Sequence, residues 1–217
     1  MKKIVSVFAM VLAVALVAAA QDASRFETFL GYTYMRANSA TDVPAFSANG
    51  AAGQFVVNIN NWAGFLTDMG AVHNGNISGA HFDTTLTNFL FGPRFTLRKS
   101  RLSPYLQILW GGVHAGDSIR VNAVELVPPS PAQPIYLPGT PVVPPNTPVT
   151  LRAVASQTAF EMTVGGGLDI KINKYASFRP IQLEYAMTRL QNYRSGNDNN
   201  QHNIRYMTGI NFTFGAQ

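Results

Sequence analysis

His114 and Ser118, four residues apart, are side chains of the kind that perform acyl hydrolysis, an imidazole taking a proton from a hydroxyl nucleophile. That chemistry also needs a carboxylate to orient the imidazole, and no motif ties one to this pair. Asp68 and Asp83 are of the type that act as acid and base in hydrolysis, but their spacing is not diagnostic, and an interior ion pair accounts better for Asp68. His73, His81, His114 and His202 are scattered near segment ends and connections; nothing in the sequence makes them converge, and no metal is assigned. Gly165-Gly166-Gly167 is not a phosphate cradle, because no helical pattern follows it. Glycines in such a place relieve crowding or let a strand coil. Cysteine is absent, which removes disulfides, thiolate metal sites, a cysteine nucleophile and a lipid-bearing cysteine. These residues supply no catalytic set and no cofactor site, and the chain is read as not an enzyme.

The charges that do fall in a pattern are Glu27, Asp68, Arg94, Glu161, Asp169, Lys171, Glu184 and Arg205. Each sits on the polar side of a segment whose apolar residues recur at every second position, the period of a strand rather than a helix. Phe26, Thr28, Leu30, Tyr32 and Tyr34 share one face of the first segment, against Glu27, Gly31 and Thr33. The second sets Phe55, Val57 and Ile59 against Val56, Asn58 and Asn60; the third, the weakest, sets Phe65 and Met69 against Asp68 and Gly70. The fourth sets Phe89, Phe91, Phe95 and Leu97 against Asn88, Gly92, Arg94 and Thr96, and the fifth sets Leu106, Ile108 and Trp110 against Tyr105 and Gln107. In the sixth and clearest, Phe160, Met162, Val164, Leu168, Ile170 and Ile172 oppose Glu161, Thr163, Gly165, Gly167, Asp169 and Lys171. Ile181, Leu183, Tyr185 and Met187 oppose Gln182, Glu184 and Thr188 in the seventh; Tyr206, Ile210, Phe212 and Phe214 oppose Arg205, Gly209, Asn211 and Thr213 in the eighth. Segments of about 10 residues with this alternation predict an all-β fold, an eight-stranded antiparallel up-and-down transmembrane β-barrel.

The connections agree. Long ones at 37–53, 74–83, 116–157 and 191–203 alternate with tight ones at Asn60-Asn61, Lys99-Ser100 and Asn173-Lys174, the asymmetry of a barrel with long extracellular loops and short periplasmic turns. In lipid every backbone N–H and C=O must be paired within the protein, so the sheet must close. The apolar faces then look outward, and the charged set lines a lumen that eight strands leave just wide enough for side chains to fill. Asp68 with Arg94, and Glu184 with Arg205, are the expected ion pairs, with Glu161 one strand from the second.

Charged residues make up 12% of the 217, about half the share of a soluble domain. The net charge of +5 is scattered and includes Lys2 and Lys3, so nucleic acid is not an expected partner. Met1-Lys2-Lys3, the apolar run from Ile4 to Val17 and Ala18-Ala19-Ala20 read as a Sec-type signal peptide over 1–20, leaving 21–217 as the barrel domain. The apolar run is short for a membrane-spanning helix. Within the connection at 116–157, Pro128-Pro129, Pro131, Pro134, Pro138, Pro141, Pro144-Pro145 and Pro148 favour an extended polyproline arm, a spacer or a recognition segment for a surface partner.

With the eight-segment pattern, Gly92-Pro93-Arg94-Phe95, Gly165-Gly166-Gly167-Leu168-Asp169 and Arg179-Pro180-Ile181-Gln182 resemble the outer-membrane β-barrel family related to the transmembrane domain of OmpA. The resemblance covers essentially the whole chain after the leader. It implies residence in the bacterial outer membrane, contact with its lipid and lipopolysaccharide, and insertion by the barrel assembly machinery through the last strand. Gly209, Phe212 and Phe214 are similar to the assembly signal of that family; the family's final residue is commonly aromatic, whereas Gly215-Ala216-Gln217 follows here. Peptidoglycan anchoring, the task of a further domain in full-length OmpA, is not carried over. The expected role is a structural barrel with surface loops, serving envelope integrity or adhesion. A small porin for ions or solutes is the alternative, and a lipid-modifying enzyme a distant third.

Overall fold

Strict alternation over eight segments leaves the chain one economical solution, a sheet closed on itself. In a computed structural model, which describes residues 24–38, 45–75, 82–99, 101–124, 148–191 and 198–215, the strands are β1 (Phe26–Ala37), β2 (Phe46–Asn58), β3 (Ala63–Asn74), β4 (Phe82–Thr96), β5 (Leu102–Val124), β6 (Pro148–Lys171), β7 (Ala176–Gln191) and β8 (Asp198–Phe214). Each pairs antiparallel with its neighbours in chain order, and β1 closes on β8 from Phe26↔Phe214 to Arg36↔Ile204. The leader at 1–20 and most of the proline-rich arm lie outside the described residues.

At one end the strands are joined through residues 59–62, 97–101 and 172–175. Two of these turns share one construction. In Ile59-Asn60-Asn61-Trp62-Ala63 the Asn60 Oδ1 accepts from the Trp62 and Ala63 amides at 2.9 and 2.7 Å. In Ile172-Asn173-Lys174-Tyr175-Ala176 the Asn173 Oδ1 accepts from Tyr175 and Ala176 at 2.8 and 2.9 Å. An asparagine that mimics a backbone turn fixes both corners and with them the register of the strands that follow.

The longer connections are shorter than the sequence suggests. β2 begins at Phe46, not after Gly53, and its Ser-Ala-Asn-Gly-Ala-Ala-Gly stretch pairs residue by residue with β1. Small residues carry no apolar alternation, yet their amides complete a ladder once neighbours stand beside them. Likewise the expected loop at 116–157 is strand at both ends: β5 and β6 stay paired from Leu102↔Ile170 to Val124↔Pro148. Pro148 stands at the first position of β6, where a proline, with no N–H to give, is tolerated.

Pro180 sets the other irregularity. The β7–β8 register slips between Arg179 and Gln182, and the β6–β7 register between Leu168 and Ile170. A bulge of this kind places residues of opposite parity on the same face. Here both Arg179 and Gln182 point inward, each with no exposed surface.

Candidate functional site

The faces are divided as the alternation requires. Leu106 is 63% exposed and Met69 60%, whereas Arg94 and Arg205 are 1% exposed. Leu30, Tyr32, Phe55, Phe65, Phe89, Phe95, Trp110, Phe160, Leu183 and Phe212 are all exposed on the outside. The interior is filled instead by a hydrogen-bonded network to which all eight strands contribute.

Nearest the short turns stands Glu27. It receives Arg98 Nη2 at 2.6 Å, Asn58 Nδ2 at 2.9 Å and Asn211 Nδ2 at 3.1 Å, with Arg94 Nη1 at 3.8 Å. Arg94 turns its Nη2 to Asp169 Oδ2 at 2.8 Å. Arg179, on the adjoining strand β7, reaches the same carboxylate with Nε to Oδ1 at 2.6 Å and Nη2 to Oδ2 at 3.0 Å. Tyr105 lies between the two guanidiniums, 3.7 Å from Arg94 Cζ and 4.7 Å from Arg179 Cζ, and Phe29 supports Arg179 from beneath at 4.2 Å. Such stacking suits the planar, weakly hydrated guanidinium.

A second tier is built on Arg205. Its Nε donates to Glu184 Oε2 at 2.6 Å and its Nη1 to Asp68 Oδ1 at 2.9 Å. Its Nη2 lies 2.5 Å from Glu184 Oε2 but out of line for a hydrogen bond. Asp68 also accepts from Asn88 at 2.6 Å and Gln54 at 2.7 Å, and Glu184 from Gln107 at 2.6 Å and Gln182 at 2.7 Å. Gln54 and Gln182 tie the tiers together. Each accepts from Arg179 Nη1 at 2.7 Å through its carbonyl and donates upward, Gln54 to Asp68 and Gln182 to Glu184. Toward the longer connections the interior turns apolar, with Met35, Phe46, Val72, Leu86, Val113 and Leu190 packed in one cluster.

Glycines make this density attainable. A Cβ on Gly167 would stand 2.5 Å from the Tyr105 hydroxyl and 2.7 Å from the Ile181 carbonyl. The Gly165–Gly167 run thus clears the wall against which Tyr105 lies and donates to Gln182 at 2.5 Å.

Of the residues singled out in the sequence, Glu184 and Arg205 are opposed on neighbouring strands and bonded to each other. Asp68 and Arg94 are not. Register sets Arg94 opposite Gly64 and Asp68 opposite Leu90. That is four residues apart along the wall, about 13 Å at strand rise, and each finds its partner across the lumen. Counting depth from the turns neglects the stagger that closure imposes. Glu27 and Asp169 join the first tier. Lys171 is exposed at the end of β6 and forms no ion pair among the described residues; its strand runs out of the lumen there.

Glu161 has no exposed surface, and neither carboxylate oxygen has a hydrogen-bond partner, although Arg205, Asp68 and Glu184 are within electrostatic range. The network's carboxylates are Glu27, Asp68, Glu161, Asp169 and Glu184, and its guanidiniums are Arg94, Arg98, Arg179 and Arg205. Glu161 is the one carboxylate left over. The sequence did not mark Arg179 or Arg98 as lumen charges, although Arg179 stands in the Arg179-Pro180-Ile181-Gln182 motif. Strict alternation puts Arg179 outside, and only Pro180, a proline within a strand, signals the bulge that brings it in.

The other chemical candidates stand apart. His114 Nδ1 pairs with Thr158 Oγ1 at 2.9 Å on the outer face, and His73 Nδ1 with Thr85 Oγ1 at 3.0 Å; His202 stacks on Tyr185, and His81 lies outside the described residues. His114 meets no carboxylate among the described residues, which also hold no cluster of metal-ligating side chains. Asp68 points into the lumen, while Asp83 falls with Phe89 on the outer face of β4.

No protein-family model matches the chain, and no curated protein sequence matches it. Solved structures do. The attachment invasion locus protein Ail of Yersinia pestis aligns over 88% of this chain and 99% of its own, with a TM-score of 0.54 and 14% identity. Neisserial surface protein A aligns over 89% of this chain and 100% of its own, with a TM-score of 0.55 and 13% identity. The Yersinia protein in complex with the heparin analogue sucrose octasulfate aligns at a TM-score of 0.52, again at 14% identity over 88% of this chain and 99% of that one. The chain shares the fold of these proteins.

Proposed function

We propose that this chain is a structural barrel of the bacterial outer membrane, delivered there by its N-terminal leader and inserted through β8, and that it stands closed in the bilayer with its longer connections at the cell surface. The observation that carries this reading is the inversion of the fold: Leu106, Met69, Leu30 and Phe65 exposed on the outer wall, with Arg94, Arg179 and Arg205 sealed within. In water that arrangement exposes a continuous apolar belt, which soluble monomers avoid. In hydrocarbon the same belt is solvated, and the closed ladder leaves no unpaired edge. A packed lumen argues for structure over transport, because the buried guanidiniums occupy the path a solute needs. Fractionation of cells should place the protein in the outer membrane, in a form that resists detergent until heated. Planar-bilayer recording of the purified barrel should give no steady current. Recovery from the periplasm alone, or an open channel of stable conductance, defeats the proposal.

Adhesion is the surface role with specific support. β5 and β6 carry their paired ladder out to Val124↔Pro148, a hairpin of 23 and 24 residues where the other strands have 12 to 17. A barrel of the same fold is named for attachment and invasion. Cells displaying the chain should bind host-surface material through this hairpin, and a variant shortened to the level of Gly116↔Ser156 should lose that binding while still assembling. Equal binding by both forms removes the adhesive role and leaves the structural one.

A further inference from the structure

We infer that the short-turn rim is a binding surface for the phosphate groups of anionic phospholipids, an inference that rests on the membrane reading above. Among the described residues, the exposed charges of this rim are all of one sign. Arg25 precedes β1, Lys99 and Arg101 lie in the turn after β4, Lys171 ends β6, and Lys174 lies in the turn before β7; all five are exposed. Glu27 and Asp169, the carboxylates described at this end, are buried and taken up by Arg98, Arg94 and Arg179. Among the described residues no carboxylate is paired with any of the five. They also converge: the Lys171 amide donates to the Arg101 carbonyl at 2.9 Å, which brings Lys99, Arg101, Lys171 and Lys174 together on two adjoining turns.

The partner is indicated by what surrounds these cations. Leu102 follows Arg101, Ile172 follows Lys171, and Tyr175 follows Lys174, and all three apolar side chains are exposed. Lys174 Nζ lies 4.8 Å from the Tyr175 ring and Arg25 Cζ 5.6 Å from the Phe26 ring. A hydrated acidic polymer has no use for exposed Ile59, Leu102 and Ile172 beside the charges. A bilayer interface does: aromatic rings sit at headgroup depth, and long basic side chains extend from apolar surface toward phosphate. Basic groups at an anionic membrane surface each strengthen attraction about fivefold, an effect that salt screens.

Trp62 reports on this rim. It lies in the β2–β3 turn, and its carbonyl accepts from the Thr96 amide at 2.8 Å, beside the turn that bears Lys99. The chain has two tryptophans, so Trp110→Phe isolates it. The full barrel carrying Trp110→Phe is folded into phosphatidylcholine vesicles containing, at equal mole fraction, brominated phosphatidylglycerol or brominated phosphatidylcholine, and quenching of Trp62 is compared. At low salt phosphatidylglycerol should associate about fivefold or more better, and high salt should bring the two toward parity. The combined variant Lys99→Gln/Arg101→Gln/Lys171→Gln/Lys174→Gln should lose the preference. Should it fail to fold, Lys171→Gln and Lys174→Gln singly should each lose part of it. Equal quenching by both lipids in the wild-type rim, or a preference untouched by these substitutions, overturns the inference while leaving the barrel in its membrane. Equal quenching together with tight binding of soluble polyglutamate overturns it in favour of an acidic macromolecule. No quenching by either lipid is a different result: it refutes the membrane reading itself.

Discussion

Replacing Arg205 by methionine separates a lumen held by charge pairing from one merely filled by polar side chains. Arg205 serves two carboxylates at once, Glu184 Oε2 from Nε at 2.6 Å and Asp68 Oδ1 from Nη1 at 2.9 Å, and both acids are buried. Losing one partner of a buried pair costs about 3–5 kcal/mol, chiefly because the other charge is stranded. Here each acid keeps two amide donors, Gln54 and Asn88 on Asp68, Gln107 and Gln182 on Glu184, so Arg205→Met belongs near the lower figure, about 3 kcal/mol. Glu184→Gln removes one charge-assisted bond and leaves Arg205 its second acid, a cost of about 1.5–3 kcal/mol. In the double variant no Glu184 charge is stranded, and the loss should fall about 2 kcal/mol short of the sum, within the range for residues in direct contact. Equilibrium urea unfolding in lipid vesicles, followed by tryptophan fluorescence, measures all four corners of the cycle. Arg94→Met and Asp68→Asn form the control: these residues share no direct partner, and their effects should add within about 0.5 kcal/mol. Additivity of the Arg205–Glu184 pair, or strong coupling of the control, refutes the network as described.

Three further outcomes are expected. Val164→Arg places a charge on the exposed outer face of β6 and should impair folding into lipid by about 2–4 kcal/mol, whereas Lys171→Gln at the rim should change unfolding by less than about 0.5 kcal/mol; comparable effects would mean the faces are misassigned. Gly167→Ala drives a methyl toward the Tyr105 hydroxyl and the Ile181 carbonyl and should cost about 1–3 kcal/mol, seen as a lower urea midpoint with an unchanged slope. Removing residues 128–146, whose proline-rich composition carries little burial potential, should leave heat-modifiable migration on gels unchanged, and failure of assembly would show that this segment packs against the barrel.

How much of this was legible follows from what each feature depends on. Faces depend on parity, which sequence carries directly: the outer row of β6 from Phe160 through Met162 to Val164 reads off the alternation. Strand ends depend on hydrogen bonding between neighbours, which Ser47, Ala48 and Ala51 do not advertise, and β2 therefore begins earlier than its apolar pattern. Ion pairs depend on stagger and on the reach of arginine across a narrow lumen. The Glu184–Arg205 pair was accessible because it is directly cross-strand, while Asp68 and Arg94 lie at different heights and pair elsewhere. The interior is also less polar than strict alternation implies. Phe29, Leu66, Leu90 and Leu109 are buried inside, because a lumen this narrow must be filled by volume as well as by charge.

The closed state rests on the bulge at Pro180 more than on any single ion pair. A strand of unbroken alternation with Gln182 and Glu184 inside must turn Arg179 out, leaving Asp169 with Arg94 alone and Gln54 with no guanidinium on its carbonyl. The slip lets β7 present Arg179, Gln182 and Glu184 to the lumen together, and with them one chain of bonds from Asp169 to Arg205. The exposed backbone at the irregularity is not left wanting, since the Arg179 and Pro180 carbonyls accept from Thr208 Oγ1 at 2.9 Å and Tyr206 Oη at 2.8 Å. A water path along the axis must cross both tiers. Because Gln54 and Gln182 are bonded to each tier at once, moving aside the guanidinium of Arg179 frees the Gln54 carbonyl, leaves the Gln182 carbonyl to Tyr105 alone and takes two donors from Asp169, a cost in a buried interior that no single new contact offsets. Opening then requires a concerted loss across several strands rather than the swing of one side chain, which supports the closed barrel proposed above.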